Sequence, residues 1–230
     1  LFSSFVNANI VVPSKAVSVA MFSNDFSETN VKVIYNATDL LDFNFETAKP
    51  VLRDEFDIPM DYILFGCFSR LTPWKGHESF VNAAISLLSK GSKAKFIIVG
   101  GAVFGNDNFL NTLKTRVISS GFKDNIIFTG FRYDMGNCIK SADVVVVPSI
   151  HPDPCPRVMV ESMAMSKAMI GSDIGGIPEV ISHKTTGLIF KPNDVKSLHG
   201  AFEFFLNNPD QVRLMGENGF KRQEKLYTLK

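Results

Sequence analysis

Residues 153–161, DPCPRVMVE, combine two carboxylates with two prolines where a loop turns into a helix. Each proline pushes the residue before it out of the helical region, and Pro156 suits the first helical turn. The backbone N–H groups of Arg157, Val158 and Met159 are then free to face an anion, which the helix dipole also favours. The stretch therefore predicts an anion site at a helix start.

The two acids of this stretch, Asp153 and Glu161, lie too far apart for a catalytic pair. The helical rise and the extended loop separate them by about 12–15 Å, whereas a pair acting on one bond needs at most about 9.5 Å. That separation suits an extended ligand with a hydroxylated group at each end and an anion between. The alternative for Asp153 is an ordinary turn or cap residue. Glu161 interrupts an apolar helix face, where an unpaired acid is costly.

Two apolar runs are followed by further residues that could contact a ligand. Arg70 and Lys75 flank a proline-containing turn after the first run, and a guanidinium with an ammonium suits a diphosphate. Two solvated loop charges are the alternative. Gly130 ends another run and lets a ligand approach the backbone, with Phe131 or Arg132 placed to face a base. An ordinary turn is the alternative there.

The elements that must position these residues are apolar runs alternating with amphipathic stretches. Several runs are continuously apolar, as expected of parallel strands covered on both faces. The alternation predicts an α/β fold with a doubly wound, Rossmann-like parallel sheet, in which ligands bind at the carboxyl ends of the strands. The predicted strands are residues 7–14, 31–36, 62–68, 94–101, 125–131, 142–149, 167–173 and 186–190.

Helical periodicity between these strands predicts helices over residues 77–90 and 109–120. A short helix starts at Pro178, and a further helix is capped by Asp194. The glycine pair at 175–176 serves either a structural turn or a ligand loop, and the sequence leaves both open.

Composition argues against several classes of protein. The net charge is +1 with no basic block, so nothing indicates a nucleic-acid partner. Three cysteines without C-x-x-C spacing argue for a reducing compartment and against a disulfide scaffold or structural zinc. No apolar run approaches the roughly 18 residues that a membrane span needs.

Eight motifs, in this order, resemble the nucleotide-binding half of glycosyltransferase family 4, the retaining GT-B enzymes. The resemblance covers nearly the whole chain and implies that it forms the C-terminal half of a GT-B fold. The motifs are VIYNATD (33–39), SRLTPWKG (69–76), FIIVGG (96–101), IIFTGF (126–131), ADVVVVPS (142–149), DPCPRVMVESMAM (153–165), DIGGIPEVI (173–181) and TGLIFKPND (186–194).

The resemblance also implies roles for the charged residues. Asp153 and Glu161 take the places of two glutamates separated by seven residues. The first would touch hydroxyls of the sugar, and the second would touch the ribose of the nucleotide. Arg70 and Lys75 would hold the diphosphate and stabilise the leaving group, so the expected catalytic residues are Asp153, Arg70 and Lys75.

Gly130 and Phe131 would meet the base, and Arg157 and Val158 at the helix start complete the expected nucleotide-sugar site. Enzymes of this family transfer a sugar from a nucleoside diphosphate with retention of configuration. They need no Asp-x-Asp metal motif, and none occurs here. The expected donor is a UDP- or GDP-sugar, with no cofactor and no metal. Positive charges and the helix start would replace the metal.

The chain departs from the family pattern at several positions. Asp153 is one methylene shorter than the usual Glu, and Cys155-Pro156 stands where Phe-Gly is common. Ser69 and Ala37 each replace a usual Gly. These departures leave the sugar open and motivate one alternative, a non-catalytic nucleotide-sugar-binding module. A further alternative, an NAD-dependent oxidoreductase, requires a glycine-rich first turn that the chain lacks.

The resemblance divides the chain into three parts. Residues 1–36 would end an N-terminal acceptor domain and its crossover, and residues 37–208 would form the donor domain. Residues 209–230 would form a helix returning toward the N-terminal domain. The acceptor-binding half would be absent, so we expect the chain to bind nucleotide but turn over poorly. We expect a cytoplasmic enzyme of carbohydrate biosynthesis, with any peripheral membrane association supplied by the absent half.

Overall fold

The computed structural model describes residues 9–22, 31–39, 43–102 and 107–228. The strands are β1 Ile10–Val12, β2 Val31–Val33, β3 Ile63–Phe68, β4 Ala94–Val99, β5 Ile126–Gly130, β6 Val144–Val147, β7 Ala168–Ser172 and β8 Gly187–Phe190. The helices are α1 Lys15–Phe22, α2 Val51–Glu55, α3 His77–Leu88, α4 Asp107–Ser119, α5 Met135–Ser141, α6 Arg157–Ala164, α7 Ile177–Val180, α8 Val195–Asn207 and α9 Pro209–Leu226. A 3₁₀ turn, Pro73–Lys75, precedes α3.

Each of the eight predicted strands is confirmed, although the first two residues of the predicted strand 7–14 lie outside the described residues. Six strands form one parallel sheet in the order β5-β4-β3-β6-β7-β8, and β1 pairs with β2 in a separate parallel pair. The chain moves outward from β3 to β5 and then returns beside β3 at β6. The strand order therefore reverses between β3 and β6, which is where ligands bind in such sheets.

Both faces of the sheet are covered by helices, which explains the continuous apolar runs. One face packs against α3, α4 and α8, and the other against α2, α5, α6 and α7. On the first face, Phe65 packs against Phe202 and Phe96, with ring centroids 4.7 and 5.2 Å apart. Alternate residues of β3, such as Leu64, face the second layer. The predicted doubly wound α/β architecture is therefore confirmed.

The observed helix starts agree only in part with those predicted from the sequence. Asp194 caps α8 as predicted, since its carboxylate accepts a hydrogen bond from the Ser197 N–H at 2.9 Å. Pro156, predicted in the first turn of α6, instead occupies the position before the helix, which begins at Arg157. The Met159 N–H, predicted to be free, donates to the Pro156 carbonyl at 3.1 Å. This tight first turn leaves the N–H groups of Arg157 and Val158 without an acceptor among the described residues.

The segment around α1 is held against α7 by one carboxylate. Glu179 accepts hydrogen bonds from the N–H groups of Lys15 and Ala16 at 2.9 and 2.7 Å, and from the Tyr35 hydroxyl at 2.8 Å. At the far end of the chain, the Tyr227 carbonyl accepts from the Thr38 N–H at 3.2 Å. The described segment 31–39 and the end of α9 thus meet beside α7, since the Tyr227 hydroxyl also donates to the Glu179 carbonyl at 3.4 Å.

Within the part of the chain that the structure describes, no helix is both long and apolar enough to span a bilayer.

Candidate functional site

A cavity of about 320 Å³ lies between the carboxyl ends of β3 and β6, at the point where the strand order reverses. Residues 67–70 form the β3 side of its wall and residues 146–149 form the β6 side. Residues 156–158 at the start of α6 close a third side, and Lys75 and Glu161 complete the lining. Two cations, a buried acid and a helix start therefore share one cavity.

A larger cavity, of about 530 Å³, lies beside the first residues of β4 and β5. Its charged residues, which are three lysines and two aspartates, are mixed with apolar side chains, of which Ile118 is exposed. This groove is at the outer edge of the sheet, whereas the smaller cavity is at the switch point where ligands of parallel sheets bind. Its position at the switch point makes the smaller cavity the candidate ligand site.

The loop after β3 is pressed onto the loop after β6 by a glycine and a backbone hydrogen bond. Gly76 ends the 3₁₀ turn at φ 75°, where a Cβ atom would collide with the Pro148 carbonyl. The Ile150 N–H donates to the Trp74 carbonyl at 2.9 Å. The close approach carries Lys75 across to the residues that follow β6.

Lys75 forms an ion pair with Asp153, whose Oδ2 atom accepts from the Lys75 Nζ. The Ser149 hydroxyl donates to the same Oδ2 atom at 3.3 Å. Asp153 is only 5% exposed and is not part of the cavity wall, and the Lys75 side chain is 13% exposed. The Lys75 ammonium also lies 4.2 Å from the centroid of the Trp74 ring. Buried charges need such partners because desolvation is costly.

The glycine pair at 175–176 fixes the backbone of Asp153. The Gly176 N–H donates to the Asp153 carbonyl at 2.8 Å. Gly175 has φ 59°, and a Cβ atom there would lie 2.6 Å from the Asp153 nitrogen. A Cβ atom at Gly176 would collide with the Pro154 carbonyl, so both positions require glycine for the two loops to pack closely. This packing gives the pair a structural role, one of the two alternatives that the sequence left open.

Arg70 is exposed on the cavity wall, and its guanidinium has no partner among the described residues. Its carbonyl accepts from the Thr72 N–H at 3.0 Å, which forms the turn between the two cations. An exposed, unpaired guanidinium beside a cavity keeps its five donors available for an anionic ligand.

Glu161 reaches the cavity from inside α6, where it is 9% exposed. Burial raises the pKa of this carboxyl group, and the charge of Arg157 opposes the rise. The Arg157 Nε lies 3.6 Å from the Glu161 Oε1, and the arginine side chain is mostly exposed. A buried carboxylate with such a weak partner retains acceptor capacity for a ligand hydroxyl.

Gly130 and Phe131 lie at the end of β5, two strands away from the cavity wall. Gly130 has φ 77° with open space around its Cα, and Phe131 is 66% exposed. The Phe131 ring stacks edge-on against Tyr133, with centroids 4.9 Å apart. The structure thus brings Arg70, Lys75, Arg157, Val158 and Glu161 together, whereas the predicted base-contacting residues stand apart as an exposed aromatic pair.

Sequence reasoning missed two side chains that support the site. The Ser149 hydroxyl donates a hydrogen bond to the Asp153 carboxylate, as described above. His77 is fully buried beneath the loop, with its Nε2 atom 3.0 Å from the Ser69 Oγ. Burial lowers the pKa of His77 to about 4, and the charge of Lys75 acts in the same direction. A polar residue directly after an apolar strand was the signal available for Ser149, and nothing in the spacing marked His77.

Metal ligands do not cluster within the described ranges, where no three His, Cys, Asp or Glu side chains could hold an ion together. Metal-independent catalysis stays a prediction.

The doubly wound parallel sheet with its cavity at the switch point is the architecture of one half of a GT-B glycosyltransferase. The chain belongs to the family described as glycosyl transferases group 1, whose sequence model matches residues 48–222. Membership of this family favours the glycosyltransferase interpretation over the oxidoreductase alternative.

Among curated relatives, a lipopolysaccharide core biosynthesis mannosyltransferase, LpsB of Rhizobium meliloti, is 27% identical over 166 residues. The match covers 71% of this chain and 47% of that protein. The chain spans about half the length of the curated relatives it matches. It covers 52% of YtcC, a putative glycosyltransferase of Bacillus subtilis, and 47% of LpsB.

Solved structures share the fold. A glycosyltransferase from Rickettsia africae superposes with a TM-score of 0.90 at 24% identity, over 96% of this chain and 60% of that one. The Anabaena protein HepE, solved in complex with UDP, gives a TM-score of 0.86 at 24% identity with the same coverage of each chain. HepE has also been solved in complex with UDP-glucose.

Proposed function

We propose that this chain is the donor-binding domain of a retaining, metal-independent glycosyltransferase of family 4 that transfers a hexosyl group from a UDP- or GDP-sugar. One observation carries the proposal. Two cations from the loop after β3 and the start of α6 line the same switch-point cavity, and a buried acid lines it too. This combination suits a diphosphate flanked by hydroxylated groups.

The cavity suggests a role for each group. The Arg70 guanidinium binds two phosphate oxygens at once, and the Lys75 ammonium supplies a point charge. The free N–H groups at the start of α6 face the same anion. As the sugar–phosphate bond breaks, negative charge develops on the leaving diphosphate, and these fixed donors stabilise it. Glu161 accepts hydrogen bonds from the ribose hydroxyls.

The nucleotide base lies toward the end of β5, near Gly130 and the exposed Phe131–Tyr133 pair. The loops after β3 and β4 run side by side between that strand and the cavity, since Leu71 and Ala102 pair as an isolated parallel bridge. The complexes of HepE with UDP and UDP-glucose support uridine as one candidate base.

The acceptor-binding half belongs to the N-terminal domain of a longer protein. The half-length coverage of curated relatives supports this division. The pairing of β1 with β2 apart from the six-stranded sheet supports residues 1–36 as the end of that domain, with 37–208 as the donor domain and 209–230 as the returning helix. We place the whole protein in carbohydrate biosynthesis in the cytoplasm, with membrane association, where present, through the absent half.

A second candidate is a nucleotide-sugar-binding module without catalysis. One observation favours it: Asp153, in the place of the sugar-contacting acid, is buried in an ion pair instead of lining the cavity. Hydrolysis or transfer assays on a protein that includes the acceptor half separate the two candidates. If the protein is a binding module, it should bind a sugar nucleotide but neither hydrolyse it nor transfer its sugar.

The test of the proposed function is a thermal-shift screen of the 230-residue chain against UDP, GDP, ADP, their glucose or mannose conjugates, and NAD. A ligand that binds only the folded chain raises stability by about 2.7 kcal/mol at a hundredfold excess over its Kd. We expect a clear rise in melting temperature with one nucleoside diphosphate and none with NAD. A response to NAD alone, or to none of the compounds, contradicts the proposal.

A further inference from the structure

One side chain from the segment after β2 reaches the loop that leads into α6. The Asn36 Nδ2 atom donates to the Cys155 carbonyl at 2.6 Å, across 119 residues of sequence. Asn36 is half-buried and is not part of the cavity wall. We propose that Asn36 is a positioning residue that fixes the start of α6 for contact with the diphosphate. The inference rests on the proposed function, because it treats the α6 start as part of the diphosphate site.

The bond acts on the peptide unit directly before α6. The Cys155 carbonyl belongs to the planar peptide that ends at the Pro156 nitrogen, and the proline ring fixes φ there, at −58°. Only the ψ torsion of Pro156 then separates this peptide from the next one, which carries the Arg157 N–H. The Pro156 carbonyl in that next peptide accepts from the Met159 N–H at 3.1 Å, which restricts ψ. The direction of the Arg157 N–H therefore depends on the peptide that Asn36 holds.

Asn36 is itself held in place by the residues around it in the chain. The Tyr35 hydroxyl donates to the Glu179 carboxylate at 2.8 Å, and the Tyr35 ring lies edge-on to the Tyr227 ring with centroids 5.7 Å apart. Further along, the Thr38 N–H donates to the Tyr227 carbonyl at 3.2 Å. Because these contacts already restrict the backbone, the Asn36 bond orders the loop at little additional cost in conformational entropy.

The loop before α6 is also held from α7, where the Gly176 N–H donates to the Asp153 carbonyl at 2.8 Å. That contact lies upstream of Cys155, so it leaves the Cys155–Pro156 peptide free to turn when the Asn36 bond is lost. Backbone N–H groups bind an anion well when they are aimed at it before it arrives. Loss of the Asn36 bond should therefore weaken diphosphate binding, although Asn36 does not line the cavity.

Calorimetry with UDP and with GDP compares Asn36→Ala and Asn36→Gln with the unmodified chain. Asn36→Ala removes the donor, and we expect its affinity for the bound nucleotide to fall about three- to tenfold, the effect of one hydrogen bond. Asn36→Gln keeps an amide donor on a longer stem and should restore part of the loss. Both substitutions are uncharged, so neither changes the electrostatic attraction of the phosphates.

Two controls separate positioning from a general loss of stability. Ser141→Ala removes a buried hydrogen bond before the start of β6, where the Ser141 hydroxyl accepts from the Leu52 N–H at 3.0 Å. We expect Ser141→Ala to lower the melting temperature and leave the affinity unchanged. Asn111→Ala, at an exposed residue of α4 with no side-chain partner among the described residues, should not weaken binding either.

Weaker binding by Asn36→Ala, together with unchanged binding by Ser141→Ala, supports the positioning role. Equal affinity losses in these two variants overturn it, because affinity then follows stability alone. Asn36→Leu keeps the branched shape without a donor and gives the same test if Asn36→Ala does not fold. If the unmodified chain binds neither UDP nor GDP, the proposed function fails and this inference fails with it. If the unmodified chain binds one of them and the Asn36 variants bind it equally tightly, this inference alone fails.

Discussion

The Glu179 carboxylate caps the first turn of α1, with its Oε1 atom accepting the Ala16 N–H at 2.7 Å across 163 residues of sequence. Its other oxygen accepts from the Lys15 N–H and from the Tyr35 hydroxyl. A single side chain of α7 therefore satisfies two backbone donors that α1 cannot satisfy itself. The contact fixes how the first described segment lies on the large sheet.

Glu179→Gln should loosen this attachment. An amide keeps one acceptor but presents an N–H group toward a backbone donor, so we expect a loss of about 1–2 kcal/mol in the free energy of unfolding. Urea unfolding measures the loss, and hydrogen exchange should increase at the start of α1. Glu224→Gln is the control, since Glu224 is exposed on α9 and has no partner within the described ranges. Equal stability of the two variants would refute the attachment.

Arg70→Ala should separate binding from folding. The guanidinium is exposed and unpaired among the described residues, so the melting temperature should hardly change. Loss of a charge-assisted contact to the diphosphate should weaken UDP or GDP binding roughly ten- to a hundredfold. Calorimetry measures the affinity, with Arg213→Ala on α9 as the control arginine away from the cavity. Unchanged affinity in Arg70→Ala would exclude Arg70 from the phosphate site.

Glu161→Gln should reduce nucleoside affinity with little loss of fold, and it should also change the pH dependence of stability. Burial raises the folded-state pKa of Glu161, so the folded chain binds this proton more tightly than the unfolded chain does. Stability of the unmodified chain relative to the variant then falls as pH rises from about 4.5 toward the raised pKa. Urea unfolding at several pH values checks the sign. A difference that does not vary with pH would contradict the burial of a titrating carboxyl group.

His77 should make the fold sensitive to acid. Burial lowers its folded-state pKa to about 4, whereas the unfolded side chain titrates near 6.5. The unfolded chain therefore binds this proton first, and the contribution of about 3 kcal/mol is lost as pH falls from about 6.5 to 4. His77→Gln should flatten the stability profile in this window, as unfolding midpoints at pH 4.5 and 7 would show. His151→Gln, at an exposed loop residue, is the control and should leave the profile unchanged.

The strands and the switch-point site were predictable because local sequence determines them. Strands buried on both faces must be continuously apolar, and cations directly after such strands must lie at the ligand-binding edge. The wall positions of Arg70 and Lys75 follow from that rule. The N–H groups of Arg157, Val158 and Met159 were all predicted to be free, and the prediction is wrong for Met159, which donates to the Pro156 carbonyl. A tight first turn is a detail of local geometry that composition does not specify.

Sequence by itself determined the α/β fold, the family and the cavity to which the charged residues belong. Tertiary structure alone decided the partners: Lys75 with Asp153, Ser149 behind both, His77 with Ser69, and Glu179 with the start of α1. Two of these pairings, Lys75 with Asp153 and Glu179 with Ala16, join residues 78 and 163 positions apart, and the other two lie within eight positions. Their geometry depends on how closely the glycines let the loops approach, and on which buried charges require compensation once water is excluded.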